Sequence, residues 1–154
     1  MDKFEEALAN LGLTIPEPSI PVANYVPYVI SGKLVYISGQ IPMQAGQLSY
    51  VGKLGREFSI EQGQEAARVC ALNILGLIRH ACDGDLGRVV RCVRLGAFVN
   101  GTDEFTDQPQ VVNGASDLMV AVFGERGRHA RAAVGVNSLP RGVAVEVDAI
   151  FEIE

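Results

Sequence analysis

The closing stretch of the chain, from His129 to Ile153, constrains the fold more than any other. Val143, Val145, Val147, Ala149, Phe151 and Ile153 are apolar, and between them stand Ala144, Glu146, Asp148, Ile150 and Glu152. A period of two is the signature of a β-strand with one face in a core and the other largely polar. The run before it, Arg131 to Val136, alternates as well: Ala132, Val134 and Val136 against Arg131, Ala133 and Gly135. Asn137-Ser138-Leu139-Pro140-Arg141-Gly142 separates the two runs and is rich in turn formers. The pattern predicts an antiparallel hairpin closing near Leu139 and Pro140. That register sets Arg131 and Ala133 on the face of Glu146 and Asp148. A guanidinium and carboxylates on one non-core face form the leading site candidate.

Upstream, Phe4, Leu8 and Leu11 are spaced for a short helix between Asp2 and Leu13. Pro16, Pro18 and Pro21 then enforce an extended approach, so residues 1–23 read as an N-terminal helix with a proline-rich extension. Val26 to Ile30 and Leu34 to Ile37 predict a hairpin around Ser31-Gly32-Lys33. The second strand ends at Ser38-Gly39-Gln40, where a glycine signals close backbone approach. A polar loop, Gln44 to Glu57, follows.

Ser59 with Gln62 makes a capping box for an alanine-rich amphipathic helix from Ile60 to about Cys82, stopped by Asp83-Gly84-Asp85. Val89 to Val99 reads as a third strand, with Val89, Arg91, Val93 and Leu95 on one parity. Asp107, Pro109 and Gln110 predict a capped helix whose stripe is Val111/Val112, Ala115, Leu118/Met119 and Val122, ending at Gly124. The order β-β-α-β-α-β-β, without repeat or linker, predicts one α+β domain over residues 1–154. Its single antiparallel or mixed sheet carries two helices on one face. The other face, with Ala133, Gly135, Glu146 and Ile150, is too mixed to be purely solvated and is expected to meet other subunits of a closed oligomer.

A chain of 154 residues supports a real core. Its net charge of −5 disfavours nucleic acid and anionic membranes as partners. No apolar run approaches a membrane span and the first residues are acidic, which predicts a cytoplasmic protein. Cys70, Cys82 and Cys92 lack redox or metal spacing and read as buried free thiols. With only His80 and His129 and no paired ligands, no metal is expected.

Ile37-Ser38-Gly39-Gln40-Ile41-Pro42, Asn113, Ala130-Arg131, Leu139-Pro140 and Val145-Glu146-Val147-Asp148-Ala149-Ile150 together resemble the RidA family, also called YjgF/YER057c-like or endoribonuclease L-PSP. The resemblance runs in order from about Tyr25 to Phe151. Asn24-Tyr25-Val26-Pro27-Tyr28 and Asp107-Gln108-Pro109 look like a longer branch of it. It implies a chorismate-mutase-like fold and a homotrimer with clefts between subunits. It also implies hydrolysis of reactive imines and enamines, such as 2-iminopropanoate, to 2-oxo acids and ammonia without cofactor or metal.

By position, the resemblance makes Arg131 the grip on the substrate carboxylate and Glu146 the acid near the attacking water. It makes Gly39 the backbone N–H donor, and Ser38, Asn113 and Tyr28 cleft residues, Tyr28 across a shorter loop. Ala133 stands where a cysteine is usual, and the backbone carbonyl there is the group that holds water. Gly135 replaces a common glutamate, which predicts a wider pocket or an altered floor.

Such chemistry needs an oriented water and a proton route, not a strong nucleophile, and no catalytic Cys-His or Ser-His set is evident in the sequence. The arginine's planar fork suits a carboxylate as lysine cannot. From pattern alone Arg131 and Glu146 read as a cross-strand ion pair, and it is the resemblance that turns them into a site. Two other functions compete with the deaminase: a non-catalytic trimer that binds or senses a small carboxylate, and a ribonuclease. The acidic chain, with no basic stripe or aromatic platform, argues against the ribonuclease.

Overall fold

In the computed structural model, which describes residues 2–18 and 24–154, one five-stranded mixed sheet carries a layer of helices on one face. Pro21 lies outside the described residues. The strands are β1 (Tyr28–Ser31), β2 (Leu34–Gln40), β5 (Val89–Asn100), β6 (Ala130–Val136) and β7 (Val145–Ile153), in the spatial order β1-β2-β7-β5-β6. The two-residue strands β3 (Met43–Gln44) and β4 (Gln47–Leu48) form a small hairpin within the predicted loop. The helices are α1 (Lys3–Ala9), α2 (Ile60–Ala81) and α3 (Gln108–Phe123).

β7 is the central strand. Val145, Val147, Ala149, Phe151 and Ile153 are buried and the residues between them are not, as the period of two predicts. The predicted terminal hairpin does not form. β6 pairs in parallel with β5, while β7 pairs antiparallel with both β5 and β2. The linking segment therefore crosses the end of β5, a span of two strand spacings, or roughly 10 Å. Arg141 and Gly142 both adopt positive φ to make the turn. The Ala144 N–H then donates to the Tyr50 carbonyl and the Asn100 N–H to the Ala144 carbonyl, which pins the chain where β7 begins. Alternation defined the strands but carried no information about which strand lies beside which.

This correction changes the faces. Parallel pairing sets Arg131 opposite Leu95 and Ala133 opposite Ala97, on the helix-covered side. Glu146 pairs with Phe98 and Asp148 with Gly96, on the open side. Arg131 and Glu146 thus occupy opposite faces of the sheet.

β5 also departs from simple alternation. Register shifts between Val89 and Arg91 and between Cys92 and Arg94 reset the pattern, so the buried apolar side chains run Val89, Cys92, Leu95, Ala97 and Val99. Each bulge adds an unpaired residue and moves the next side chains to the other face. Arg91 is exposed as a result.

α2 begins at the Ser59–Gln62 capping box and buries Ala66, Ala67 and Ala71 in the core, the small side chains permitting close approach to its neighbours. α3 connects β5 to its parallel neighbour β6, the crossover such pairing demands. Asp107 stands at its N-terminus without a side-chain capping bond, and Pro109 supplies the initiation. α1, capped by Asp2, joins the layer against α3. Its Phe4 ring packs tilted against Phe123, with centroids 5.7 Å apart, and Phe123 in turn lies 6.1 Å from Phe151 of the sheet. Cys70, Cys82 and Cys92 are buried free thiols; burial raises all three, Cys92 to about 12.

Candidate functional site

Two half-sites stand on the two faces of the sheet. The first lies in the groove between the edge strand β6 and α3. Arg131 Nη1 donates to Asn113 Oδ1 at 2.8 Å and to Ser116 Oγ at 3.1 Å. Asn113 and Ser116 are three residues apart on α3 and so share a face. Both protons of Nη1 are thereby engaged by neutral oxygens. Among the described residues no carboxylate lies within ion-pairing distance of Arg131. Its Nε–H and Nη2–H edge, the side-on fork that a carboxylate accepts from, is left toward solvent.

His129 extends this cluster. Its Nδ1 lies 2.6 Å from the Gly127 carbonyl and its Nε2 lies 2.8 Å from Ser116 Oγ. A Ser-His contact, absent from the sequence reading, is therefore present in the fold. It was detectable in principle. Asn113 and Ser116 have helical i,i+3 spacing, and His129 and Arg131 share a parity at the start of β6. Arg126, Arg128, His129 and Arg131 lie close together in the sequence, and the fold divides them: Arg126 donates to the Val89 carbonyl, Arg128 pairs with Glu125, and Arg131 faces the groove.

The second half-site is on the open face, at the end of β2. The register between β2 and β7 shifts between Ile37 and Gln40, so Ser38 and Gly39 bulge from the ladder. Ser38 Oγ donates to the Val26 carbonyl. A Cβ added to Gly39 would sit 2.8 Å from Glu146 Oε2, so the glycine is what lets this carboxyl lie against the β2 backbone. Burial, and then the nearby Asp148, raise Glu146 above the usual carboxylate range. Burial raises Asp148 too, against the lowering effects of Arg94 and the Gly96 N–H. The Arg94 guanidinium stands 3.7 Å from Asp148.

The remaining predicted site residues are dispersed. Ala133 faces the α3 side, two residues along β6 from Arg131. Tyr28 lies on β1, at the far edge of the sheet from β6, and its hydroxyl shares a 2.6 Å hydrogen bond with His80 Nδ1 near the end of α2. At Gly135 a wider pocket or an altered floor was expected. The Gln108 side chain fills the space, its Nε2 2.8 Å from where a Cβ would stand. A cavity of about 610 Å³ lies elsewhere, between the proline segment, α2 and the β3–β4 hairpin, and includes neither Arg131 nor Glu146. Among the described residues no cluster of His, Cys, Asp and Glu is arranged to hold a metal ion. No helix there is long and apolar enough to cross a membrane.

The profile of the YjgF/chorismate mutase-like endoribonuclease family matches residues 5–148. The chain belongs to this family. It is 49% identical to Protein TCP17 of Trypanosoma cruzi over 147 residues, 95% of this chain and 91% of that one. A protein of unknown function from Agrobacterium tumefaciens shares 48% identity and superposes with a TM-score of 0.95, covering 99% of this chain and 94% of its own. RidA from an Antarctic Psychrobacter shares 30% identity with a TM-score of 0.59, over 91% of this chain and 96% of its own. Within the YjgF family, then, the likeness to the Agrobacterium protein takes in nearly the whole chain, α1 included, while RidA matches a little less of it and superposes less closely.

Proposed function

We propose that this YjgF-family chain hydrolyses reactive 2-imino and 2-enamino acids to 2-oxo acids and ammonia, in a cleft completed by a neighbouring copy in a homotrimer. The observation that carries the reading is the state of Arg131: held on one nitrogen by two neutral oxygens, unpaired with any described carboxylate, and keeping a bidentate edge for a small carboxylate. An internal ion pair would have spent that edge.

Arg131 and Glu146 lie on opposite faces of one sheet, so within one chain they cannot grip one ligand. A cleft between copies, with β6 and α3 of one against the open face of the next, resolves this. The open face supports the assembly. One row across all five strands reads Val29, Tyr36, Ile150, Arg94 and Ala130, and Val29, Tyr36 and nearby Val134 are about half exposed. Apolar side chains at that density on a sheet face are characteristic of an interface.

In the reaction, the carboxylate of the substrate lies on Arg131 and the backbone N–H of Gly39 holds its far end. Water adds to the imine carbon as Glu146 takes its proton. Glu146 returns that proton to the nitrogen, giving the neutral carbinolamine; it then takes the hydroxyl proton and delivers it to the nitrogen as the C–N bond breaks, so the 2-oxo acid forms and ammonia leaves. A carboxyl raised by burial is a stronger base toward water, and positioned general acid–base action contributes roughly 10²–10⁴-fold. Asn113 and Ser38 line the two halves, Ala133 supplies a backbone carbonyl for water, and the Tyr28 hydroxyl is engaged with His80.

The test is ammonia release from imines generated in situ by an amino-acid oxidase. Wild-type protein should accelerate release and Arg131→Ala should not; equal rates with and without protein would overturn the proposal. Carboxylate binding without turnover would instead support the sensor reading, which needs the same Arg131 edge.

A further inference from the structure

We propose that Ser116 and His129 form a positioning relay that fixes the ligand-facing edge of Arg131, so that carboxylate affinity is set from the turn that precedes β6. This rests on the reading of Arg131 as the carboxylate anchor and adds two residues to it.

The direction of each bond follows from the chemistry. The Gly127 carbonyl can only accept, so His129 Nδ1 carries the hydrogen. In the neutral ring Nε2 is then an acceptor, and the Ser116 hydroxyl donates its single proton there. Ser116 Oγ is left to accept, and Arg131 Nη1 donates to it. Arg131, Ser116, His129 and Gly127 thus make one unidirectional chain. Its end is rigid: Gly127 is buried against the backbone of Met119 and Val120 in α3, with no room for a side chain.

Because guanidinium is planar, fixing both Nη1 protons, one on Asn113 and one on Ser116, fixes the plane and hence the Nε–Nη2 edge. Arg131 is otherwise an exposed side chain with many rotamers. His129 acts only through Ser116: without it the hydroxyl turns freely and its proton competes with Arg131 for the same region. The Oγ–Nε2 contact resembles that of a serine nucleophile, but here the oxygen also accepts from a guanidinium, which engages its lone pair.

Calorimetric titration of the full chain with 2-oxobutanoate tests this, with melting curves to verify folding. Ser116→Ala and His129→Ala should each weaken binding by about tenfold, the scale of one lost hydrogen bond to a charged group. The double variant should be no worse than either single one, since both cut the same chain. Ser116→Thr, which keeps the hydroxyl, should bind like wild type. Should an alanine variant fail to fold, Ser116→Thr against Ser116→Val makes the same comparison. Additive losses, or wild-type affinity in both single variants while Arg131→Ala abolishes binding, would overturn the relay and leave the carboxylate site standing. No binding by the wild-type chain would overturn both.

Discussion

The proposed role of Arg131 rests on its neighbours being neutral. Replacing it with lysine keeps the charge but loses the planar fork, removing at least one charge-assisted hydrogen bond worth about 1.5–3 kcal/mol. Steady-state assays should show kcat/KM falling roughly 10–100-fold. Gly39 makes a complementary case. A methyl there would push the Glu146 carboxyl aside, yet it meets only the end of a flexible side chain. Gly39→Ala should cut the rate sharply while the melting temperature barely moves; unchanged activity would separate Glu146 from the chemistry.

Glu146 also makes a prediction about stability. Its carboxyl is raised in the fold by burial and by Asp148, so the folded chain holds that proton more tightly than the unfolded one. The associated stability is present below the ordinary glutamate range and is lost as pH climbs through the raised value. Glu146→Gln should therefore raise the melting temperature at neutral pH, with the gain shrinking as pH falls toward 4.5 and below. A gain that grows toward acid would contradict the assignment. At this scale the resemblance named Arg131, Asn113, Gly39 and Glu146, and the fold brings Arg131 to Asn113 and Gly39 to Glu146. Ser116 and His129 were missed because neither sits in a motif, and they meet only when α3 folds over β6.

Among elements, the strands and helices were readable and their neighbours were not. β7 and α2 follow from hydrophobic period and capping chemistry, both local. The partner of β6 depends on how α3 returns the chain to the sheet, which no local pattern encodes, so the hairpin expectation failed together with the face assignment it implied. The bulges of β5 were hidden similarly, because its apolar and basic residues fit either parity until β7 fixes the register. α1 was legible as a helix, but its docking on α3 through Phe4 and Leu8 was not. Leu8 is almost fully buried, so Leu8→Ala should cost about 2–5 kcal/mol in denaturant unfolding. A negligible cost would show that α1 is not part of the cooperative core.

For the whole molecule, Arg131 and Glu146 stand on two faces of the sheet, so the proposed reaction requires assembly. Light scattering on the purified chain should give the mass of three copies, and Val134→Glu on the open face should shift it toward monomer and abolish deaminase activity together. A fully active monomer would contradict the cleft. The most direct measurement is a crystal structure with a 2-oxo acid soaked in. The predicted result is a carboxylate seated on the Nε–Nη2 edge of Arg131, with Gly39 and Glu146 of an adjacent copy at its 2-oxo end. A ligand bound away from Arg131, or Arg131 facing open solvent with no second copy near it, would contradict the assignment.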